Sequence, residues 1–200
     1  MLSKKFFTEN AKTLIYALII AVFIRSLLLQ PFYIPSSSME PSLLVGDRLF
    51  VTKLSYGYSK HSFPFSLGPI KNRIFFSEPK RGDVVVFKTP SDNRTDYVKT
   101  LIGLPGDQIQ LKNGILYINN KMVKRDSAEN SPIKIYNNYL NKLDYVEILP
   151  NGKKHIIRES KGDVSPGDNT IIYTVPKDNF FLMGDNRDNS IDSRVLNYVG

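Results

Sequence analysis

Three consecutive serines form the first group of residues that could carry out chemistry. Ser36, Ser37 and Ser38 stand between Pro35 and Pro41 in the segment PSSSMEPSL. A serine hydroxyl becomes a nucleophile when a neighbouring base removes its proton, so the segment needs a base before it predicts catalysis. Two prolines so close together also fit a rigid linker, and that interpretation stays open on these residues alone.

Lys99 is the candidate base. It lies in DYVKTLIGLPGD, and it is either an edge residue that discourages strand pairing or a desolvated functional amine. A free lysine titrates near ~10.4, and burial against apolar walls could lower that pKa by ~2, enough for a usable neutral amine. The two histidines have less suitable settings, because His61 lies in an aromatic loop and His155 in a polar hairpin.

A third segment, MGDNRDNSIDSR from Met183 to Arg194, is dense in Asp, Asn and Arg beside an apolar strand. It is either a surface turn or a buried hydrogen-bond network. Its DNRDNS stretch looks like a calcium loop, but Arg187 stands at the third position, where a ligand is required, and no glycine stands at the sixth. The sequence therefore predicts no calcium loop of that type.

The composition narrows the possible chemistry. The 200 residues contain no cysteine, which excludes disulfide scaffolds, thiolate zinc sites, iron–sulfur clusters and cysteine nucleophiles. Two histidines are too few for a His-rich metal centre, and we expect neither metal nor cofactor. The net charge of +8 fits an anionic membrane surface, and no basic run interleaved with aromatic residues indicates a nucleic-acid partner.

An apolar segment near the N-terminus must position the rest of the chain. Residues 13–29 (TLIYALIIAVFIRSLLL) are apolar almost throughout and would span roughly 25 Å as a helix, a little short of the ~30 Å hydrocarbon core. We expect an uncleaved membrane anchor over a cleavable signal peptide or a soluble helix, because no small-residue cleavage pattern follows it. Lys4, Lys5 and Lys12 on the short flank favour a cytoplasmic N-terminus and an external body.

After Pro31 the sequence predicts short strands separated by turns, hence a mainly β, antiparallel fold. DVVVF (83–87) is apolar enough for a strand buried on both faces, and Asn-Gly pairs at 113–114 and 151–152 predict hairpins. Strands are predicted at 48–51, 83–87, 108–111, 115–118, 146–149, 155–158, 171–175, 180–183 and 195–199. The polar stretch 121–178 is either an inserted β lobe or a run of long surface loops.

Four motifs follow one another after the anchor: PSSSMEPSLLVGD, KRGDVVVF, DYVKTLIGLPGD and GDNRDNSIDSR. In this order they closely resemble the motifs of the bacterial type I signal peptidases, also called leader peptidases. The matching stretches, roughly 30–54, 80–108 and 180–194, cover about a third of the chain. The resemblance implies a membrane serine endopeptidase with a Ser/Lys dyad that removes signal peptides from exported preproteins after small residues, typically Ala-x-Ala.

The resemblance also implies a role for each matching residue. Ser38 matches the nucleophile and Lys99 the general base, while Ser36 matches the oxyanion-hole hydroxyl that acts with the Ser38 backbone N–H. Ser190 matches the residue that orients the lysine, supported by Asp192 and Arg194. The positions that line the pockets for small substrate residues are matched by Phe32, Ile34 and Val98.

The family fold is a β catalytic core with an inserted β-ribbon lobe. It implies a tail and anchor over 1–29, a core over 30–108 and 180–200, and an inserted lobe over 109–179. The expected partners are preprotein signal peptides and membrane lipids, at the outer face of the bacterial cytoplasmic membrane. Members usually carry further strands after the last motif, so we expect the core to be incomplete at Gly200. Ser37 departs from the family pattern, since many members have glycine there.

Two rival functions remain at this point. A related Ser/Lys protease could process itself or a dedicated substrate, although the anchor and the lack of a DNA-binding module disfavour a self-cleaving repressor. A non-enzymatic, membrane-tethered β protein would instead leave Ser38 and Lys99 exposed and far apart.

Overall fold

A long N-terminal helix followed by short antiparallel strands makes up the computed structural model, which describes residues 4–63, 70, 72–128, 144–196 and 198–199. The mainly β fold class predicted from the sequence is thereby confirmed. The elements are α1 Lys4–Leu27, β1 Leu29–Tyr33, β2 Arg48–Thr52, β3 Val84–Lys88, β4 Asp96–Gly103, β5 Gln108–Lys112, β6 Ile115–Ile118, β7 Lys121–Met122, β8 Lys124–Ser127, β9 Asp144–Ile148, β10 Lys154–Arg158, β11 Tyr173–Thr174, β12 Phe181–Met183 and α2 Ser193–Leu196.

Helix α1 is long enough to cross a bilayer. No proline or glycine interrupts Lys4–Leu27, and its apolar part, Phe6–Leu27, has a mean hydropathy of 1.5 and is exposed except near its C-terminal end, where Ser26 is buried. These 22 residues extend for about 33 Å, which exceeds the ~30 Å hydrocarbon core. The helix starts earlier than the apolar segment predicted it would, and Leu29 already belongs to β1.

The chain divides into two compact units. The first comprises Met1–Tyr33 and Arg48–Glu78, and contains α1 and the antiparallel pair β1–β2, in which Leu29 lies opposite Thr52. The second comprises Ile34–Asp47 and Pro79–Gly200. The domain boundaries expected at 29/30, 108/109 and 179/180 stay a prediction.

Three antiparallel sheets build the described part of the second unit, with strand orders β12-β4-β3, β11-β5-β6-β7 and β10-β9-β8. Strand β5 alternates as predicted, with Ile109 and Leu111 both 0% exposed. They join a core completed by Ile102, Leu116, Ile118, Val123, Leu149, Val175, Phe181 and Met183. Gly103 is required beside this core, because a Cβ there would lie 2.8 Å from Cβ of Phe181.

Two local predictions are wrong. DVVVF is not buried on both faces: β3 lies at the edge of its described sheet, and Val84 is 51% exposed. An edge strand has a neighbour on one side only, so an apolar run did not require full burial. The strand expected over 195–199 is replaced at its start by the helical turn Ser193–Leu196, and Val199 makes a single bridge with Phe180.

The polar stretch 121–178 contains β8, β9 and β10, which pair as one sheet, so at least this part is more than surface loops. The hairpin predicted at Asn151-Gly152 joins β9 to β10. Residues 129–143 lie outside the described part of the chain.

Candidate active site

Strand β4 carries Lys99 into the interior of the second unit. β4 pairs with β3 on one side and β12 on the other, and Lys99 lies opposite Val85. The lysine is only 3% exposed, and its Nζ lies 5.4 Å from the centre of the Tyr97 ring. Lys99 is therefore a buried amine and not an edge residue facing solvent.

A short 3₁₀ turn, Ser37–Met39, holds the candidate nucleophile. Ser36 precedes the turn in an extended conformation, and Met39, the last residue of the turn, is buried at 1% exposure. The Nζ of Lys99 donates a hydrogen bond to Ser38 Oγ at 2.7 Å, and the hydroxyls of Ser36 and Ser38 lie 3.4 Å apart. The chain thus brings together the three side chains that the sequence singled out, from segments far apart.

The surroundings of Lys99 make its neutral form more abundant than in a free lysine. Burial lowers its pKa from 10.5 to about 8, against the opposing effect of the Asp192 and Asp185 carboxylates. At pH 7 about 10% of the amine is then uncharged, compared with well under 0.1% for a free lysine. A neutral amine 2.7 Å from a hydroxyl can accept its proton.

The loop after β12 holds the serine turn in place. The backbone N–H of Asn186 donates to the carbonyl of Ser38, and its side-chain amide donates to the carbonyl of Ser37, both at 3.1 Å. Asn189 Nδ2 donates to Ser37 Oγ at 2.7 Å. These asparagines were not predicted as site residues, although the density of Asn and Asp in the segment was the available signal.

Asp192 and Arg194 form a buried pair beside the lysine. The guanidinium donates to both Asp192 oxygens, through Nε at 2.9 Å and Nη2 at 3.0 Å, and the Gly184 N–H donates to the same carboxylate at 2.9 Å. Burial acts to raise the pKa of Asp192, but the Arg194 guanidinium helps to keep that pKa low. This carboxylate is therefore a fixed negative charge near Lys99. Among the described residues, the Ser190 hydroxyl makes no hydrogen bond with Lys99, and its orienting role stays a prediction.

His155 lies in the predicted β9–β10 hairpin, but its side chain belongs to a buried ionic network. Its Nδ1 faces Asp185 at 3.4 Å, and its Nε2 faces Glu147 at 3.0 Å. An imidazole can donate from both nitrogens only when it is protonated, and although burial opposes the charge, the two carboxylates raise the His155 pKa to about 9. His155 is therefore an imidazolium at neutral pH and a poor candidate for a base.

The remaining partners of this network are also buried. Glu147 receives two hydrogen bonds from Arg187, at 2.8 and 2.5 Å, and Asp185 receives one from the Thr100 hydroxyl at 2.7 Å. Because Thr100 follows Lys99 in β4, the network reaches the strand that carries the candidate base. This network was not predicted from the sequence, because its members lie far apart along the chain, at positions from 100 to 187.

The three residues expected to line substrate pockets have different settings. Ile34 is buried at 3% exposure and its backbone bonds Gly46 and Asp47 within the second unit, while Val98 is half-buried on β4. Phe32 belongs to the first unit, where it lines an open depression with Pro31, Tyr33 and Arg48. Their roles in substrate binding stay predictions.

The chain is similar to known signal peptidases. The family model for signal peptidase, peptidase S26, matches residues 7–200. A signal peptidase I from Rickettsia canadensis is 41% identical over 194 residues, covering 94% of this chain and 72% of the relative, and one from Rickettsia prowazekii is 40% identical over 200 residues, covering 96% and 75%. A solved signal peptidase I from Enterococcus faecalis is 26% identical, covering 62% of this chain and 90% of that one, with a TM-score of 0.37.

Proposed function

We propose a catalytic mechanism and a membrane arrangement from the premise that this chain belongs to the signal peptidase family, peptidase S26. As a family member it is a serine peptidase that removes signal peptides from preproteins. Ser38 is the nucleophile and Lys99 the general base. The observation that carries this assignment is the 2.7 Å hydrogen bond between Lys99 Nζ and Ser38 Oγ at a buried lysine.

Catalysis begins when the neutral Lys99 amine removes the proton of Ser38, whose oxygen attacks the scissile carbonyl carbon. The negative charge that develops on the carbonyl oxygen is stabilised by the Ser38 N–H, in the first turn of its 3₁₀ segment, and by the Ser36 hydroxyl. The Lys99 ammonium then gives its proton to the departing amine. A water molecule, activated by the same lysine, hydrolyses the acyl-enzyme and restores both residues.

The support for Lys99 comes from two influences that move its pKa in opposite directions. Burial lowers its pKa, and the Asp192 carboxylate, paired with Arg194, keeps the lowering moderate. The amine is therefore neutral often enough to accept a proton and basic enough to hold it. Ser190 orients the amine in the productive state, as its match in the family motif implies.

We propose cleavage after small residues of the Ala-x-Ala type, with Phe32, Ile34 and Val98 lining the pockets. The support is the match of these positions to the family motifs together with the apolar character of all three side chains. Large substrate side chains are excluded from such pockets by their volume.

Helix α1 anchors the enzyme in the bacterial cytoplasmic membrane, with residues 1–12 on the cytoplasmic side and the body outside. The support is the apolar length of Phe6–Leu27 and the basic N-terminal flank. Anchoring confines the enzyme to the bilayer surface where signal peptides also insert, which raises their effective concentration. Protease added to intact spheroplasts should digest the body and spare an N-terminal tag, whereas protection of the body would reverse this topology.

The non-enzymatic alternative is disfavoured because Ser38 and Lys99 are bonded and the lysine is buried. To test the function, detergent-solubilised full chain is incubated with an exported preprotein and the new N-terminus is mapped. We expect one cleavage, after a small residue at the end of the signal peptide. A dedicated or self-processing enzyme would leave general preproteins intact, and that result would reject the proposal.

A further inference from the structure

A second polar cluster lies in the same compact unit as Ser38 and Lys99 and takes no part in the proposed mechanism. Glu159, Asp168 and Asp188 each contribute a carboxylate oxygen, and these oxygens lie within 4.8 Å of one another. Glu159 and Asp168 are 0% exposed. Like charges so close together in a protein interior repel strongly unless protons or a cation balance them.

The hydrogen bonds of the aspartates leave one oxygen of each without a partner. Asp188 Oδ2 accepts from the Lys161 N–H at 2.7 Å, and Asp168 Oδ2 accepts from the Ser165 N–H. The other oxygen, Oδ1, is buried in both residues and has no hydrogen-bond partner among the described residues. The loops thus fix the orientation of each carboxylate through one oxygen, as outer-shell hydrogen bonds orient the ligands of metal sites.

Glu159 is the second, independent observation that points to a ligand at this cluster. It is fully buried, and neither of its carboxylate oxygens has a hydrogen-bond partner among the described residues. Its ion pair with Arg125 is long, at 3.8 Å, because that guanidinium bonds Asp163 at 2.7 Å. A buried carboxylate with two unsatisfied oxygens is costly, and a bound cation would satisfy both.

The nearby arginines make their closest ion pairs with other carboxylates, and the buried Nε of Arg187 has no hydrogen-bond partner among the described residues. Arg125 bonds Asp163, Arg187 bonds Glu147 and Arg194 bonds Asp192. Burial, reinforced by Asp168 and Asp188 and opposed by Arg187 and Arg125, raises the pKa of Glu159 to about 8. All three acids therefore keep buried carboxylate oxygens without a hydrogen-bond partner among the described residues, and a cation could bind to them.

We propose that Glu159, Asp168 and Asp188 form a binding site for a divalent cation that prefers oxygen ligands, Ca²⁺ or Mg²⁺. Carboxylate oxygens are the ligands these hard cations prefer, and three acids with added water can supply the six to eight oxygens of Ca²⁺ or the six of Mg²⁺. No metal site was predicted from the sequence, because the three residues do not have the spacing of a calcium loop.

The proposed site would join the loop after β10 to the loop after β12. Asp188 lies between Asn186 and Asn189, the two residues that bond the Ser37–Ser38 turn. A cation bridging Glu159 and Asp188 would therefore stabilise the segment that positions the nucleophile. We expect the cation to act through this loop and not on the substrate.

The test is thermal unfolding of the full chain in detergent, with EDTA, about 5 mM CaCl₂ or about 5 mM MgCl₂, which does not depend on cleavage. With the affinity of extracellular calcium modules, about 10⁻⁴–10⁻³ M, the favoured cation should raise Tm by about 2–8 °C. Calorimetric titration should give one ion per chain. A shift with Ca²⁺ alone identifies a calcium site, and a shift with Mg²⁺ alone identifies a magnesium site.

Glu159→Gln should lose the cation-dependent shift yet be no less stable in EDTA, because it removes an uncompensated buried charge. Glu78→Gln makes the same chemical change at an exposed position and should keep the full shift. Asp188→Asn provides a second variant if Glu159→Gln does not fold. Equal Tm values of the wild type in all three buffers, or a full shift in either cluster variant, would overturn the proposal.

Discussion

The backbone N–H of Asn186 donates a hydrogen bond to the carbonyl oxygen of Ser38 at 3.1 Å, so the turn that carries the proposed nucleophile is held by a segment close to the end of the chain. The side chains of Asn186 and Asn189 add bonds to Ser37. The GDNRDNS segment therefore positions the serine as well as the charges near Lys99. We therefore expect a change in the GDNRDNS segment to disturb the serine turn as well.

Asn189→Ala should reduce kcat/KM for a preprotein by about 5- to 100-fold. It removes the 2.7 Å bond to Ser37 Oγ, and loss of one hydrogen bond or a small displacement of the nucleophile has effects of this size. Asn179→Ala is the control, since that side-chain amide donates to the Lys177 carbonyl in its own turn. Equal activity of the two variants would mean that the Ser37 contact does not position Ser38.

Ser38→Ala should abolish cleavage while the protein still folds, because no other hydroxyl occupies the position of the attacking oxygen. Ser36→Ala should be milder, with a loss of about 10²–10³-fold, since one oxyanion donor is lost and the Ser38 N–H remains. Cleavage of a purified preprotein, with circular dichroism as the folding check, measures both.

The exposed Ser42, in the same loop, provides the matched control for these serines. Ser42→Ala should leave the rate unchanged. If Ser38→Ala keeps substantial activity and Ser36→Ala removes it, the roles of the two serines are reversed.

The sequence allowed prediction of the parts of the fold that local pattern determines. The alternating residues of Gln108–Lys112 form a strand, and the Asn-Gly pairs lie in turns between paired strands. Both could be predicted because side-chain period and turn chemistry are local properties. The chemistry of the two segments suggested a serine–lysine pair, but the choice of Ser38 came from the family motifs, because nothing local in either segment specifies a contact across 61 positions.

Two polar groupings could not be predicted. His155 was interpreted as part of a polar hairpin, yet the strands around it pack so that Glu147 and Asp185 enclose its ring. Glu159, Asp168 and Asp188 meet through two loops without any regular spacing. Burial of charged residues depends on tertiary contacts that hydrophobic periodicity does not encode.

His155→Gln should retain cleavage but lose stability in a pH-dependent way. The folded-state pKa of His155 is raised from 6.5 to about 9, so its protonation stabilises the fold fully below pH 6.5 and this contribution is lost as the pH rises through 9. The Tm difference between wild type and variant should therefore be largest near pH 6 and shrink towards pH 9. Loss of cleavage without loss of stability would instead make His155 the base to consider.

Ser190→Ala should lower the rate without abolishing it, since the hydroxyl is proposed to orient the Lys99 amine and does not carry the transferred proton. The apparent pKa of the pH–rate profile should shift while the maximal rate falls. A variant with the wild-type rate and profile would show that Ser190 has no orienting role.

The pH dependence of the rate tests Lys99 as the base. With a pKa lowered to about 8, the rate should rise about tenfold per pH unit below pH 8 and level off above it.

Lys99→Arg should be inactive, because a guanidinium stays protonated at any usable pH, whereas Lys112→Arg on the exposed end of β5 should behave as wild type. Lys99→Met should be inactive but more stable than the wild type. The reason is that Lys99 binds a proton more tightly in the unfolded chain than in the folded one, so the native lysine lowers the free energy of unfolding below pH 8. This cost disappears as the pH rises to 10.5. An active arginine variant, or a rate that does not change between pH 6 and 8, would exclude Lys99 as the base.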